Sequence, residues 1–219
     1  MTPTRPVADC HLYLCTPDRP DLAGFVAACI EGGVDIVQLR EKHLEARPLL
    51  ERARLAAAVC AERGIAFILN DRPDLALELA LEGAGDGVHV GQDDAPVALA
   101  RRILGQDAVV GLSTHGEDDL AGALALGADV SYISAGPVEP TPTKPGRPGT
   151  GLEYLALATA RSAVPVFVTG GVTPEKIPVL AGAGARHFVV VRYLTEAADP
   201  RRAARALRDA IDESLAPSA

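Results

Sequence analysis

Eight times along its 219 residues the chain passes from a short run rich in valine and isoleucine into a longer stretch rich in alanine, leucine or charge. Short β-branched runs bounded by turn residues read as strands, and longer stretches with a 3.6-residue period read as helices. Strands are expected at His11–Thr16, Val34–Arg40, Ala66–Asn70, Gly87–Val90, Val109–Ser113, Asp129–Ala135, Val164–Thr169 and His187–Val191. Helices are expected between them, at Leu44–Arg63, Pro73–Leu81, Glu117–Leu126, Pro174–Ala183 and Pro200–Leu215 among others. Thr173 before Pro174 has the form of an N-cap followed by a first-turn proline, while Gly64, Gly127 and Gly184 follow expected helix ends. Eight βα units in this length match a single (β/α)8 TIM barrel spanning residues 1–219. An open doubly wound sheet is the alternative. The even spacing of the units, and polar residues after many strands instead of at one crevice, favour the barrel.

Composition narrows what such a scaffold can bind. Hydrophobic residues make up 48% of the chain and aromatics 4%, so alanine, leucine and valine must fill the core. A formal net charge of −8 without any basic run argues against nucleic acid as a partner. An anionic small molecule would need a local positive pocket working against that global sign. Cys10, Cys15, Cys29 and Cys60 form no Cys-x-x-Cys pair and read as reduced, partly buried thiols. The five histidines lack metal-binding spacing. The opening MTPTRPVADC has no apolar signal segment and no run reaches membrane-spanning length, so a cytoplasmic protein without a membrane partner is expected.

In a barrel of this kind the chemistry sits where strands run into the following helices. The second strand exits as VDIVQLREK, and alternation puts Ile36, Gln38, Arg40 and Lys42 on one side with Val37 and Leu39 on the other. Donors are thereby aimed into a cavity or, on the blander reading, into a salt-bridged rim. The third strand ends in Asn70 and Asp71, and the fourth delivers Asp93 and Asp94 past Gly91. Taken singly, Asp93 or Asp94 reads best as a cap for a helix beginning near Ala95. Two carboxylates from adjacent strand ends also suit Mg²⁺, which completes its shell with water and substrate phosphate. The fifth strand brings Ser113 and His115. The seventh ends TGGVTPEK, where two glycines and a helix N-terminus would present N–H groups to an anion, and the eighth ends at Arg192.

The sixth strand opens into GPVEPTPTKPGRPGTG, residues 136–151, whose five prolines and four glycines exclude a helix or central strand. Loops of this length in a small domain are often lids. On the side of strands two to six, Arg40, Lys42 and Lys144 face Asp71 and Asp94, leaving one net positive charge that a divalent cation would raise to three. That matches an organic diphosphate, while Gly170, Gly171 and Arg192 opposite suit a monophosphate.

The set QLREK, LND, HVGQDD, GLSTH, GPVEPTPTK and TGGV, in this order along nearly the whole chain, closely resembles the thiamine-phosphate synthase family. That resemblance implies a TIM barrel that joins 4-amino-2-methyl-5-hydroxymethylpyrimidine diphosphate to 4-methyl-5-(2-phosphoethyl)thiazole with Mg²⁺, releasing pyrophosphate. It implies that Gln38, Arg40, Lys42 and Asn70 bind the pyrimidine diphosphate and that Asp71 and Asp94 hold the metal. It further implies that Ser113 lies beside the reacting centre and that Thr141, Thr143, Gly171, Val191 and Arg192 surround the thiazole phosphate. Lys144 would reach the diphosphate from the lid, and Arg40, Lys42, Ser113 and Lys144 would carry catalysis.

Three positions depart from the family pattern: Arg192 stands where a small residue is frequent, Glu139 where a bulky apolar one is, and Glu78–Gly85 is slightly longer. A related thiazole tautomerase would not need Asn70–Asp71 or the Thr-x-Thr-Lys segment. A silent phosphate-binding regulator would not need the whole charged set, and a sugar-phosphate isomerase would need a carboxylate base beside a neutral histidine, a pair not found here.

Overall fold

The computed structural model describes residues 5–140 and 148–216. Its strands are β1 (Leu12–Thr16), β2 (Ile36–Leu39), β3 (Ala66–Asn70), β4 (Gly87–Val90), β5 (Val109–Thr114), β6 (Tyr132–Ala135), β7 (Val166–Val168) and β8 (His187–Val190). They pair in sequence order, all parallel, and β8 closes on β1, so the sheet is a complete barrel. The helices are α1 (Leu22–Glu31), α2 (Ala46–Glu62), α3 (Pro73–Leu81), α4 (Val97–Leu104), α5 (Glu117–Ala125), α6 (Gly151–Arg161), α7 (Ile177–Gly182), α8 (Arg192–Thr195) and α9 (Pro200–Leu215). The open-sheet alternative is thereby excluded.

Strand alternation divides the core in two. Leu12, Leu14, Val37, Leu39, Phe67 and Leu69 point outward and pack under the helices. Tyr13, Ile36, Ala66, Ile68, Val109, Tyr132 and Phe167 fill the barrel interior. α2 contributes a buried stripe of Leu49, Ala53, Ala56, Ala57 and Cys60, whose four small residues after Leu49 let the helix lie close on the strands. α9 opens on Pro200, and the Asp199 carboxylate accepts the Arg202 N–H at 3.0 Å as its cap.

The N-terminal end of the barrel is plugged. Val7 and Cys10 join the interior cluster from below. Asp35 accepts the amides of His11 and Leu12 at 2.9 Å each and pairs with Arg208 at 2.5 Å, tying β1 and β2 to α9. All four cysteines are free and buried, and burial pushes the Cys10 and Cys29 thiols up to about 12. Function is left to the opposite end. Among the described residues, no helix is long and apolar enough to cross a membrane.

Candidate active site

At the C-terminal rim the strand exits surround a cavity of about 620 Å³. One wall carries Gln38, Arg40, Lys42, Asn70, Asp71 and Asp94, from the ends of β2, β3 and β4. The facing wall carries Gly171, Val191 and Arg192, from the exits of β7 and β8, with Ser113 of β5 between them. Thr141, Thr143 and Lys144 lie outside the described residues.

The carboxylate pair is built by backbone placement. Asp71 has φ 62°, a left-handed conformation unusual outside glycine, and its N–H donates to the His89 carbonyl at 2.8 Å. This turn aims the Asp71 carboxylate at Lys42, whose Nζ lies 2.7 Å from Oδ2. Asp94 does not cap a helix: α4 begins at Val97 behind Pro96, and Asp94 Oδ2 accepts the Gly91 N–H at 2.9 Å. The two carboxyls hydrogen-bond one another. Burial, reinforced by the Asp94 charge and opposed by Lys42, raises the Asp71 pKa. Burial would raise Asp94 too, but the Asp71 hydrogen bond, the Gly91 N–H, Lys42 and Arg40 together hold it below its usual value. Among the described residues no group of three or more His, Cys, Asp or Glu could hold a metal. Two adjacent carboxylates nevertheless suit Mg²⁺, which takes one or two from protein and the rest from water and phosphate. Asn70 is buried next to them, and its Nδ2 has no hydrogen-bond partner among the described residues.

Across the cavity, Gly170 (φ 94°) and Gly171 (φ 76°) turn the chain after β7 in conformations that favour glycine. A Cβ on Gly170 would lie 2.5 Å from Pro137 Cβ, and one on Gly171 would lie 2.6 Å from Glu139 Oε2, so the turn packs against the start of the 136–151 loop. The base of that loop is pinned. Val138 N–H donates to the Thr169 carbonyl at 2.8 Å, and Thr150 N–H donates to the Pro137 carbonyl at 2.8 Å. Glu139, the departure from an apolar residue, is exposed and pairs with Lys176 Nζ at 2.5 Å. α7 begins at Ile177, three residues later than expected. The Thr173 hydroxyl is hydrogen-bonded to Glu175, and the Thr173 carbonyl takes the amides of Lys176 and Ile177, forming a turn before the helix. The backbone facing the cavity is therefore Gly170–Thr173, not the first helical turn. Arg192 is exposed at the mouth.

The floor consists of residues that the strand-end reading passed over: Tyr13, Cys15, His89, Tyr132 and Ser134, all lining the cavity. Inward alternation in HLYLCT, GVHV and SYIS was the signal available. They form one hydrogen-bonded string. Cys15 Sγ reaches Gln38 Oε1 at 3.1 Å, Gln38 Nε2 donates to the Tyr13 hydroxyl at 2.9 Å, and that hydroxyl meets the Tyr132 hydroxyl at 2.9 Å. His89 Nδ1 meets the Tyr132 hydroxyl at 3.0 Å, and His89 Nε2 meets Ser113 Oγ at 2.9 Å. His115, by contrast, is held by Asp119 through both its backbone N–H (2.9 Å) and Nδ1 (3.0 Å).

Residues 12–194 match the profile of the thiamine monophosphate synthase family. The chain belongs to that family. It is 46% identical over 219 aligned residues to a thiamine-phosphate synthase of Mycobacterium bovis, covering 94% of this chain and 96% of the relative. A thiamine-phosphate synthase of Mycolicibacterium vanbaalenii is 44% identical, with the same coverage. Among solved structures, a thiamine phosphate pyrophosphorylase from Pyrococcus furiosus superposes with a TM-score of 0.84 at 27% identity, over 95% of this chain and 98% of that one. Family membership makes the chain a transferase of thiamine biosynthesis acting on small molecules.

Proposed function

We propose that the cavity joins 4-amino-2-methyl-5-hydroxymethylpyrimidine diphosphate to 4-methyl-5-(2-phosphoethyl)thiazole, giving thiamine phosphate and pyrophosphate. The observation that carries this reading is a single cavity with two unlike anion-suited walls. One combines two cations with two carboxylates and an amide donor unpartnered among the described residues; the other is a glycine turn beside an arginine.

Asp71 and Asp94 would hold Mg²⁺, which when bound would neutralise charge on the diphosphate. Arg40 and Lys42, with Lys144 from the loop, stabilise the negative charge that grows on the departing group, and Asn70 Nδ2 donates to the same substrate. Gln38 holds the pyrimidine end. The amides around Gly171 and Val191, the Arg192 guanidinium and the hydroxyls of Thr141 and Thr143 fix the thiazole phosphate, which sets the thiazole nitrogen in line with the bond that breaks. Loss of diphosphate leaves a pyrimidine methyl cation, and capture by the thiazole nitrogen completes the transfer. The 136–151 loop, pinned at its base beside the glycine turn, closes over both anions and keeps water from the cation. No covalent adduct with the enzyme is needed.

Incubation with both phosphorylated substrates, with and without Mg²⁺, tests the assignment. Pyrophosphate and thiamine phosphate should form together, in equal amounts, and only with the metal. Turnover of the thiazole phosphate alone, without pyrophosphate, would overturn it in favour of a tautomerase.

A further inference from the structure

The buried string beneath the cavity has a direction, and direction decides what Ser113 offers to a ligand. A hydroxyl has one proton to donate and two lone pairs that accept. Burial pushes the Tyr13 and Tyr132 phenols well above their ordinary pKa, so both keep their protons across the physiological range. Gln38 Nε2 donates to the Tyr13 oxygen and has no lone pair to offer, so of the two partners of that hydroxyl it is the Tyr132 oxygen that can take the Tyr13 proton. Of the partners of the Tyr132 hydroxyl, His89 Nδ1 is then the one with a lone pair to offer, and it accepts the Tyr132 proton. A neutral imidazole that accepts at Nδ1 carries its proton on Nε2, and Nε2 faces Ser113 Oγ. Ser134 Oγ donates to the same Ser113 oxygen at 3.4 Å. Both acceptor positions of Ser113 are thus taken, and what it has left is its proton, at the wall of the cavity.

We infer that Tyr13, Tyr132 and His89 are positioning residues that lock His89 as its Nε2–H tautomer and so present Ser113 to the substrate as a hydrogen-bond donor. The ligand atom facing Ser113 is accordingly an acceptor, such as an oxygen of the departing diphosphate. A Ser113 that gave its proton to His89 would be an acceptor toward substrate, the arrangement of a nucleophile with its base, which the transfer does not require. The packing agrees with a fixed imidazole: the His89 and Tyr132 rings stack at 5.5 Å with 26° between planes. This inference rests on the proposed transfer for its consequence, though not for its geometry.

The tautomer is read in the wild-type protein by ¹⁵N NMR of its imidazoles, the His89 signals being assigned by their loss in His89→Gln. An Nε2–H signature is expected, and an Nδ1–H signature overturns the inference. Steady-state kinetics then ask whether His89 acts through Ser113. His89→Leu should lower kcat about 100-fold, the order seen when one preorganised donor is lost, with each KM within about threefold. His89→Gln, which keeps a donor for Ser113, should recover most of that loss. Against a Ser113→Ala background His89→Leu should cost less than about threefold more, because two groups acting as a unit are not additive. A full penalty in that background refutes positioning through Ser113. Absence of pyrophosphate with wild-type enzyme would instead refute the proposed transfer and leave the NMR result standing on its own.

Discussion

Gly111 lies on β5, in register with Tyr132 on one side and His89 on the other. An alanine there would place its Cβ 2.2 Å from Tyr132 Cζ, 2.5 Å from the Tyr132 hydroxyl oxygen and 2.5 Å from His89 Nδ1. None of these can give way easily. Tyr132 is fully buried, with the Phe167 ring centroid 5.0 Å away and that of Tyr13 at 6.0 Å, and both belong to the same interior cluster. Overpacking of this sort costs about 1–3 kcal/mol, and rigid ring atoms at this separation put Gly111→Ala near the upper end, about 3 kcal/mol. For a domain of this size each kcal/mol moves Tm by about 2–4 °C, so calorimetry should show a fall of roughly 6–12 °C. Activity should drop as well, because any relief of the clash parts Tyr132 from His89. Tyr132→Leu removes the ring carbon and oxygen that the new methyl meets. Adding Gly111→Ala to that variant should cost about 1–2 kcal/mol less than it does in the wild type. A Tm within about 2 °C of wild type for the single substitution, or strict additivity in the pair, would refute the packing argument.

Asp71→Asn keeps side-chain shape and tolerates a left-handed backbone, so it should fold normally while the Mg²⁺ needed for half-maximal turnover rises at least about tenfold; unchanged metal dependence would remove Asp71 from the metal site. Lys144→Ala should slow the chemical step in single-turnover experiments by at least about tenfold while leaving thiazole phosphate affinity nearly unchanged. Burial, outweighing the hydrogen bond to the Cys10 carbonyl, lowers the His187 pKa below its ordinary 6.5. The unfolded chain therefore protonates first, so this group's contribution to stability is present above pH 6.5 and is lost as the pH falls toward the lowered folded value. Denaturation midpoints measured from pH 7.5 to 5 should decline less in His187→Gln than in wild type.

Much of the scaffold was legible because local signals agreed. Pro73–Leu81 and Pro200–Leu215 are bounded as expected: each opens on a proline with its missing N–H at a position that needs none. Gly64, Gly127 and Gly184 turn left-handed after α2, α5 and α7. The same proline signal failed at Pro174, because hydrogen bonding of the Thr173 side chain to Glu175 builds a separate turn ahead of the helix. β6 is shorter than its apolar run because Gly127–Asp129 coil into a 3₁₀ turn, with Val130 N–H returning to the Gly127 carbonyl. Such competition between local hydrogen bonds is decided by geometry that residue types do not carry.

The cavity divides along a similar line. Arg40, Lys42, Asp71 and Asp94 stand out in a sequence because charge at the exit of an apolar strand has few structural excuses. Tyr13, His89, Tyr132 and Ser134 do not, since an inward tyrosine or serine is ordinary filling until its neighbour is known. Neighbours are set by register, here Cys15 beside Gln38, Asn70 beside His89, and Ser113 beside Ser134. Register follows from how the barrel closes, not from any one strand's pattern. The result is three layers: an apolar plug, a polar floor and a charged rim. Burying the floor is tolerable because its hydroxyls, thiol, amide and imidazole are hydrogen-bonded to one another, and an unsatisfied member would cost about 1–3 kcal/mol. Asn70 breaks that rule, its Nδ2 unpartnered among the described residues where the floor meets the rim. A donor kept at such a cost beside a carboxylate pair has a use if an anion sits above it, which is why floor and rim are read together as one site.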